Sequence, residues 1–301
     1  MMMEKPKYGP FPSTQDVVCA SELCVKSPQT ESSSYRLAYL DPQFMLDDDL
    51  RPVRLQLELL KPELLQQAAG IYSTVVVFGS ARTLDPDAAR ESYQQACRAL
   101  EAAPDERDVI QAHQHARKAL ERSKYYEEAR RFAHLLSNQT ACHESGHFVV
   151  VTGGGPGIME AANRGADEAG AKSIGLNIVL PMEQAPNRYI TPELCFQFHY
   201  FAIRKMHFLL RAKALVAFPG GFGTLDELFD ALTLVQTRKI KRIPVLLFGK
   251  AFWQRVVNFE ALVDEGTISA DDLDLIYYVD TAEDAYREIR QFYAEDFGDQ
   301  S

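Results

Sequence analysis

The feature that most constrains the fold is a series of short apolar runs rich in β-branched residues. The first is TVVVF, and similar runs follow at intervals along the chain, at 74–78, 148–152, 173–179, 214–218, 243–248 and 276–279. Continuous runs of this kind are typical of strands that are buried on both faces. Segments of helical length and pattern separate them, for example at 159–169 and 225–237. The alternation predicts βαβ units, and therefore an α/β fold with three layers and a Rossmann-like parallel sheet.

The connection between the first two runs is longer than a single crossover helix requires. Residues 86–140 have a helical composition throughout, and Pro104 divides them. Because proline inside a helix costs about 3 kcal/mol, we expect two helices here rather than one, at roughly 86–103 and 105–138. The sequence therefore predicts a helical insertion after the first strand.

The N-terminal part of the chain has a different composition. Residues 1–34 are rich in Pro, Ser, Thr and Gln and are typical of flexible chain. Further along, Pro52 and Pro62 are expected to break an apolar segment into short pieces. There is no internal repeat and no sign of a second core. We therefore expect an N-terminal extension, 1–50, and a single domain, 51–301.

The charge of the chain is unevenly distributed. The formal net charge is −10, but residues 261–301 hold 12 acidic and 2 basic side chains, which leaves 30 of each in the rest. The acidic segment is most simply a solvated face. The net charge argues against general nucleic-acid binding, and it leaves a small anionic ligand open.

Composition also bears on the cellular compartment. No apolar run approaches the roughly 20 residues that a membrane helix needs. The first residues lack the apolar region of a signal peptide. Five cysteines without a CxxC pair are typical of a reducing compartment. We therefore expect a cytoplasmic protein that binds no membrane.

Three of the predicted strands end in turns that contain glycine. The first leads into 79–82 (GSAR), the second through 153–157 (GGGPG) to a helix near Met159, and another through 219–224 (PGGFGT) to a further helix. In parallel α/β sheets, ligands bind beyond the carboxyl ends of the strands. Glycines there allow a ligand to approach the backbone, and a helix N-terminus offers unpaired N–H groups. These loops predict a phosphate cradle.

The cradle is not of the commonest kinds. Neither loop matches GxGxxG, since the sixth position from Gly153 is Ile158 and the sixth from Gly221 is Asp226. GxxxxGK[ST] is absent from the sequence, so hydride transfer and P-loop nucleotide hydrolysis lose their main support. The motifs leave a lysine-dependent pyridoxal phosphate site open, but no residue points to one.

Two of these segments carry a family resemblance. Residues 153–166 (GGGPGIMEAANRGA) and 219–227 (PGGFGTLDE) resemble the paired signatures of the LOG family, once labelled lysine decarboxylases. Arg204 and Lys205 match the family's Arg-Lys pair on the preceding helix. The resemblance covers roughly residues 50–280 and is greater to the longer branch, which includes nucleotide 5′-monophosphate nucleosidases. It implies hydrolysis of the N-glycosidic bond of a nucleoside 5′-monophosphate, AMP-like or a cytokinin riboside monophosphate, to free base and ribose 5-phosphate.

The resemblance also implies roles for individual residues. Glu227 is the candidate catalytic carboxylate, which stabilises the oxocarbenium-like ribosyl cation and orients or deprotonates water. Arg204 is the second candidate catalytic residue, and is expected to hold the ribose or the base or to support the departing base. The candidate substrate-binding residues are Gly79, Ser80, Gly154, Gly155, Gly157, Met159, Glu160, Lys205, Gly220, Gly221, Gly223 and Thr224. We expect no cofactor, no metal ion, and a homodimer or higher homo-oligomer, with residues 86–140 serving as an added oligomer or lid element.

A different class of function has some of the same requirements. A non-catalytic carrier or sensor of a phosphorylated ligand, similar to the molybdenum-cofactor carriers, needs the cradle but not the pair of Arg204 and Glu227. The presence of both residues favours the enzyme. Each also has a plainer interpretation. A glutamate near a helix N-terminus contributes about 0.3–1 kcal/mol through the helix dipole, and Arg204 and Lys205 fit surface cations of an amphipathic helix.

Two further patterns are not expected to carry chemistry. Residues 143–147 (HESGH) fit the zinc pattern HExxH, but that pattern requires a helix, and here Gly146 lies inside it and a strand follows immediately. The basic run 238–242 (RKIKR) follows a helix, where cations complement the helix dipole. A subunit contact is the alternative interpretation of this run.

Overall fold

The structure is a computed structural model and describes residues 12–21, 25–140, 148–181 and 185–294. The chain divides into two compact units, Met1–Gln56 and Leu57–Ser301. The division that the sequence predicts, at residue 50, stays a prediction. In the first unit lie helices α1, Thr14–Ser21, and α2, Pro42–Met45, with short 3-10 helices at Ser33–Tyr35, Ala38–Leu40 and Asp48–Leu50.

Helix α3 runs without interruption from Arg51 to Ala68. The expectation that Pro52 and Pro62 break this segment is wrong. Pro52 is the second residue of the helix, where a backbone N–H has no acceptor within the helix. Pro62 lies inside the helix and has no N–H group to donate, so the helix lacks one hydrogen bond there. The residue is buried.

Seven parallel strands form one sheet within the described residues of the second unit. They are β1 Ser73–Phe78, β2 Phe148–Thr152, β3 Ser173–Ile178, β4 Cys195–Phe198, β5 Ala212–Ala217, β6 Val245–Phe248 and β7 Ile276–Val279. Their order is β4-β3-β2-β1-β5-β6-β7. Val75 in the centre of β1 is in register with Val150 of β2 and with Ala214 of β5. All six predicted strands are present, and β4 is an additional edge strand.

The helices of the second unit cover both faces of the sheet. Those described after α3 are α4 Pro86–Ala102, α5 Arg107–Arg122, α6 Lys124–Thr140, α7 Ile158–Glu168, α8 Phe201–Leu209, α9 Phe222–Gln236, α10 Lys250–Val256, α11 Phe259–Asp264 and α12 Ala282–Phe292. Successive residues of β1 point to opposite faces. Val75 and Val77 pack with α6, α7 and α12, whereas Val76 and Phe78 pack with α8 to α11. The predicted three-layer α/β fold is confirmed. None of the helices in the described part of the chain is long and apolar enough to cross a membrane.

The long connection after β1 contains three helices, so the prediction of two is wrong. Pro104 does separate α4 from α5. A second break lies at Ser123, whose hydroxyl donates to the carbonyl of Leu120 (2.8 Å). Helix α6 is the crossover helix, because Phe132 and Leu136 are fully buried against the sheet and α7. The inserted part is therefore the α4–α5 hairpin, which corresponds to residues 86–122.

Candidate functional site

A cleft of about 660 Å³ opens where the strand order reverses, between β1 and β5. Ligands of open α/β sheets bind at this switch point, because the connections leave the sheet in opposite directions there. Nine of the fourteen predicted site residues line the cleft, namely Gly79, Ser80, Met159, Arg204, Gly220, Gly221, Gly223, Thr224 and Glu227. The topology thus brings together residues from four separate segments of the chain.

Helix α9 begins at Phe222, three residues earlier than expected, so that Gly223 and Thr224 belong to its first turn. A Cβ atom at Gly220 would lie 2.1 Å from the hydroxyl oxygen of Thr224, and this glycine is therefore required by packing. A Cβ atom at Gly221 or Gly223 would meet nothing within 4 Å. Protein packing does not explain these two glycines. The open space beside the first-turn N–H groups suits an anionic ligand.

Glu227 and Arg204 face each other in the cleft. The side chain of Glu227 is 15% exposed and that of Arg204 is 11% exposed, and 3.5 Å separates Oε1 from Nη1. Burial raises the pKa of Glu227 to about 7, although the charge of Arg204 acts in the opposite direction. Glu227 lies in the second turn of α9, beyond the reach of the N-terminal dipole effect. The dipole interpretation therefore does not account for this buried carboxyl.

Two other segments hold Arg204 in position. Its Nε atom donates to the carbonyl oxygen of Leu176 in β3 (2.7 Å). Helix α8, which carries Arg204, begins beside α3, where the carboxylate of Glu58 accepts the backbone N–H groups of His199 (2.8 Å) and Tyr200 (3.2 Å). Tyr200 is the N-cap residue of α8, so Glu58 satisfies N–H groups at the start of that helix.

Two predicted site residues lie outside the lining of the cleft and bind other protein groups. Lys205 forms an ion pair with Asp226, with 2.7 Å between Nζ and Oδ1. Glu160 is in the first turn of α7, where a carboxylate complements the helix dipole, and accepts a hydrogen bond from the hydroxyl of Tyr126 (3.0 Å). A substrate-binding role for Lys205 and Glu160 stays a prediction.

The loop 153–157 has a structural reason for its glycines. Gly154 has a φ of +75° and Gly157 a φ of +71°, in the left-handed region that favours glycine. A Cβ atom at Gly157 would lie 2.4 Å from the carbonyl oxygen of Ser80. The N–H group of Gly154 donates to the hydroxyl of Thr152 (3.0 Å), so that it is already engaged. Neither these two glycines nor Gly155 line the cleft, and their binding role stays a prediction.

A buried polar network supports this loop. The side chain of Asn163 accepts hydrogen bonds from Thr152 (2.7 Å) and from Asn187 (3.0 Å), and donates one to Ser173 (3.0 Å). Asn187 also donates to the carbonyl oxygens of Gly154 and Gly155. Sequence reasoning missed this network, because its members are 10 to 24 residues from Asn163 and form no local pattern.

The cleft also contains residues that the sequence did not single out. Arg82 follows β1, Arg122 ends α5, and Phe252 lies on α10. Phe222, inside the PGGFGT motif, also lines the cleft and is 93% exposed. The turn 79–82 was the one available signal for Arg82. Arg122 and Phe252 had no such signal, because their proximity to the motifs depends on the fold.

The two patterns set aside in the sequence have different outcomes. Residues 143–147, with the zinc-like spacing, lie outside the described residues. The described residues contain no group of three or more His, Cys, Asp or Glu side chains that could hold a metal ion. The basic run 238–242 lines a separate cavity of about 580 Å³ at the end of α9. Within that run, Arg242 donates to the carbonyl oxygen of Asp274.

Solved structures with a similar fold include two molybdenum-cofactor proteins. The molybdenum cofactor carrier protein of Chlamydomonas reinhardtii is 16% identical, with a TM-score of 0.42, over 74% of this chain and 99% of the other. The molybdenum cofactor binding protein of Rippkaea orientalis is 20% identical, with a TM-score of 0.39, over 56% of this chain and 87% of the other. At TM-scores below 0.5, these likenesses do not bear on the function.

Sequence comparisons show which family the chain is similar to. Residues 159–289 match the family model described as "Possible lysine decarboxylase". The cytokinin riboside 5′-monophosphate phosphoribohydrolase LOG7 of Arabidopsis thaliana is 31% identical over 149 residues, and the enzyme LOG of Oryza sativa subsp. japonica is 29% identical over 156 residues. These matches cover 48% and 50% of this chain, and 66% and 63% of the relatives' own lengths. The chain thus spans just under two thirds of the length of these relatives and is similar to the LOG family through its α/β region.

Proposed function

We propose that the chain hydrolyses the N-glycosidic bond of a nucleoside 5′-monophosphate and releases the free base and ribose 5-phosphate. The observation that carries the proposal is the buried carboxyl of Glu227, with a pKa of about 7, which shares one cleft with the glycine loop 219–224. A phosphate carrier needs the loop alone. A buried, titrating carboxyl is costly to keep, and such groups cluster at catalytic sites.

The phosphate end of the substrate is assigned to the start of α9. Gly221 and Gly223 leave open space there, and the first-turn N–H groups of the helix provide donors without side-chain charge. Thr224 adds a hydroxyl in the same turn. Ser80, across the cleft after β1, adds a second hydroxyl.

The chemical step is assigned to Glu227. The oxygen of a water molecule forms a bond to C1′ of the ribose, while the bond from C1′ to the base nitrogen breaks and its electron pair stays on the base. The ionised carboxylate stabilises the positive charge that develops on the ribose ring and accepts a proton from the water. That proton then passes to the departing base. Arg204 keeps part of the Glu227 population ionised at neutral pH, because its charge opposes the effect of burial.

The base end of the substrate is assigned to the apolar residues of the lining. Phe222, Phe252 and Met159 line the cleft and provide surfaces for an aromatic base. An AMP-like nucleotide or a cytokinin riboside monophosphate meets this requirement. The names of the plant relatives, which are cytokinin riboside 5′-monophosphate phosphoribohydrolases, support the same substrate class.

The experiment that tests the function is an assay of product release. The chain is incubated separately with AMP, GMP, CMP, UMP, IMP and a cytokinin riboside 5′-monophosphate, and free base and ribose 5-phosphate are quantified. We expect turnover of at least one nucleotide. Glu227→Gln should lower kcat by about a hundredfold or more, because general base catalysis contributes on that order, and should still bind the nucleotide. Asp226→Asn is the matched control, since Asp226 is on the same helix but pairs with Lys205 outside the lining.

Two results would contradict the proposal in different ways. Tight nucleotide binding without base release from any substrate favours a non-catalytic carrier or sensor of a phosphorylated ligand. Unchanged turnover in Glu227→Gln removes this carboxylate from the mechanism while leaving the activity in place.

The proposal extends to assembly and location. A homodimer or higher homo-oligomer is supported by helix α8, which leaves Phe201 and Met206 about half exposed. A reducing, cytoplasmic location is supported by the cysteines. Cys19, Cys97 and Cys195 are free thiols in the described part of the chain.

A further inference from the structure

The side chains that line the cleft carry an excess of positive charge. Arg82, Arg122 and Arg204 contribute three cations, and Glu227 contributes the one carboxylate among the lining residues described. Glu227 is paired with Arg204. The charges of Arg82 and Arg122 are therefore not compensated within the lining, although the whole chain carries a formal charge of −10.

Neither of these two arginines has a protein partner among the described residues. No ion pair or side-chain hydrogen bond of Arg82 or Arg122 occurs there, and both are exposed. Arginines on the adjacent helices behave differently. Arg130, Arg131 and Arg164 each form an ion pair with a glutamate, at 2.6, 2.5 and 2.9 Å. Arg82 and Arg122 have no such carboxylate partner among the described residues.

The backbone that carries each arginine is held in place. The N–H group of Arg82 donates to the hydroxyl of Ser80 (3.1 Å) in the turn after β1. Arg122 precedes the buried Ser123, whose N–H group donates to the carbonyl of Ala119 (3.0 Å) and whose carbonyl accepts the N–H group of Tyr126 (3.0 Å). These hydrogen bonds at the junction between α5 and α6 hold the backbone beside Arg122 in place.

The helix dipole is the plainer explanation for Arg122, and it is incomplete. A cation in the last turn of α5 complements the dipole wherever its side chain points. The dipole does not explain why this guanidinium lines the cleft together with a second, unpaired guanidinium. Two like charges without a carboxylate between them favour an anion at that position, and a planar guanidinium binds a phosphate with two parallel hydrogen bonds.

We propose that Arg82 and Arg122 form an anion subsite that binds the phosphate group of the nucleotide in the cleft. The identity of the ligand rests on the proposed function. The subsite supplies charge to a phosphate whose other contacts are the neutral N–H and hydroxyl groups of α9 and Ser80. It also makes the inserted α4–α5 hairpin part of the binding site and selects phosphorylated ligands over nucleosides.

The test measures binding of ligands that cannot be hydrolysed. Inorganic phosphate and ribose 5-phosphate are titrated calorimetrically into the full chain and into Arg82→Ala and Arg122→Ala, at low ionic strength, with adenosine as the unphosphorylated comparison. Each substitution should raise the dissociation constant for ribose 5-phosphate about tenfold or more and leave that for adenosine unchanged. The melting temperature should stay the same, because both side chains are exposed.

Two further variants sharpen the result. Arg122→Lys keeps the charge but loses the planar fork, and should retain part of the affinity. Arg117→Ala is the matched control on α5, since Arg117 forms a surface ion pair with Glu121 (3.8 Å) and does not line the cleft. Its affinity for ribose 5-phosphate should equal that of the unmodified chain.

Three results would overturn the subsite. They are no binding of either phosphate probe to the unmodified chain, no loss of ribose 5-phosphate affinity in the two alanine variants, and an equal loss of affinity for adenosine. Failure of the proposed function is a separate result, absence of base release by the unmodified chain, because these probes require no turnover.

Discussion

At the scale of single residues, Glu227 is expected to lower the stability of the fold at neutral and alkaline pH. Its pKa is about 7 in the folded chain against 4.5 for an ordinary glutamate. The folded state therefore binds more protons than the unfolded state between these values, and the stability falls as the pH rises through them. Full ionisation costs up to about 3 kcal/mol at 1.36 kcal/mol per pKa unit.

Glu227→Gln should therefore be more stable than the unmodified chain at pH 8, by about 1–3 kcal/mol, because the amide is never ionised. At pH 5, near the lower end of this range, the difference should shrink to about 1 kcal/mol or less. Urea unfolding at the two pH values measures both free energies. Asp226→Asn, which retains Glu227, is the control, and its stability should fall between pH 5 and pH 8 as that of the unmodified chain does. A Glu227→Gln variant that is less stable at pH 8 would contradict the buried, ionising carboxyl.

The sequence identified the central pair of the cleft, but not its environment. Glu227 and Arg204 lie within recognisable motifs, so their proximity could be predicted. The raised pKa could not, because it depends on burial by segments that are distant in the chain. Arg122 could not be predicted either. It is close to the motifs only because the α4–α5 hairpin returns to the carboxyl end of β1.

At the scale of secondary-structure elements, substitutions at the start of α9 test ligand binding and folding separately. Gly221→Ala and Gly223→Ala should fold normally, since a Cβ atom at either position meets nothing within 4 Å. Each added methyl occupies space beside the first-turn N–H groups, so the affinity for AMP should fall about tenfold or more. Calorimetric titration measures the affinity and thermal unfolding measures the stability.

Gly220→Ala provides the contrast for this experiment. A Cβ atom at Gly220 would lie 2.1 Å from the hydroxyl oxygen of the buried Thr224, so this substitution should lower the stability as well as the affinity. Unchanged AMP affinity in both Gly221→Ala and Gly223→Ala would exclude the start of α9 as the phosphate cradle.

The close packing of α6 against α7 depends on Gly165, a glycine inside α7. A Cβ atom at Gly165 would lie 2.0 Å from the carbonyl oxygen of Arg130 and 3.0 Å from the Cβ atom of Ala133. Alanine normally stabilises a helix interior by about 1 kcal/mol relative to glycine. At this position, Gly165→Ala should instead destabilise the fold by about 1–3 kcal/mol, because α6 must move away. Gly223→Ala is the matched control in urea unfolding, and equal effects of the two substitutions would contradict this close crossing.

The elements that the sequence predicted well are those with a strong local signal. Six strands coincide with mainly apolar runs of the sequence, and all six were found. Strand β4 was missed because Gln197 interrupts the apolar residues of CFQF, which leaves no continuous run. The break between α5 and α6 was missed because Ser123 is neither glycine nor proline. The break is visible only in the structure, where the backbone and hydroxyl of Ser123 form the hydrogen bonds that end α5.

At the scale of the whole molecule, the sheet order explains why net charge says little about the site. The reversal between β1 and β5 places the start of α9 beside the turn after β1 and the end of the inserted hairpin. The lining of that cleft is basic in a chain whose formal charge is −10. Local charge at the switch point, rather than the total, decides whether a phosphate binds.

The exposed apolar residues of α8 predict that the whole molecule assembles into an oligomer. Met206 and Leu210, the C-cap residue of α8, are four residues apart, so they lie on the same side of the helix, and they are 46% and 50% exposed. Phe201 at the start of α8 is 51% exposed. We expect a homodimer or higher homo-oligomer in which a second copy covers these side chains, because burial of apolar surface drives association.

Sedimentation velocity tests this assembly directly. The unmodified chain should sediment with at least twice the 33.9 kDa mass of one chain. Met206→Glu should raise the dissociation constant at least tenfold, because an ionised carboxylate in an apolar interface loses its hydration without gaining a partner. Tyr72→Glu, at a position 68% exposed and outside α8, is the matched control and should leave the assembly intact. A monomeric unmodified chain would contradict the oligomer, and an unaltered assembly of Met206→Glu would exclude α8 from the interface.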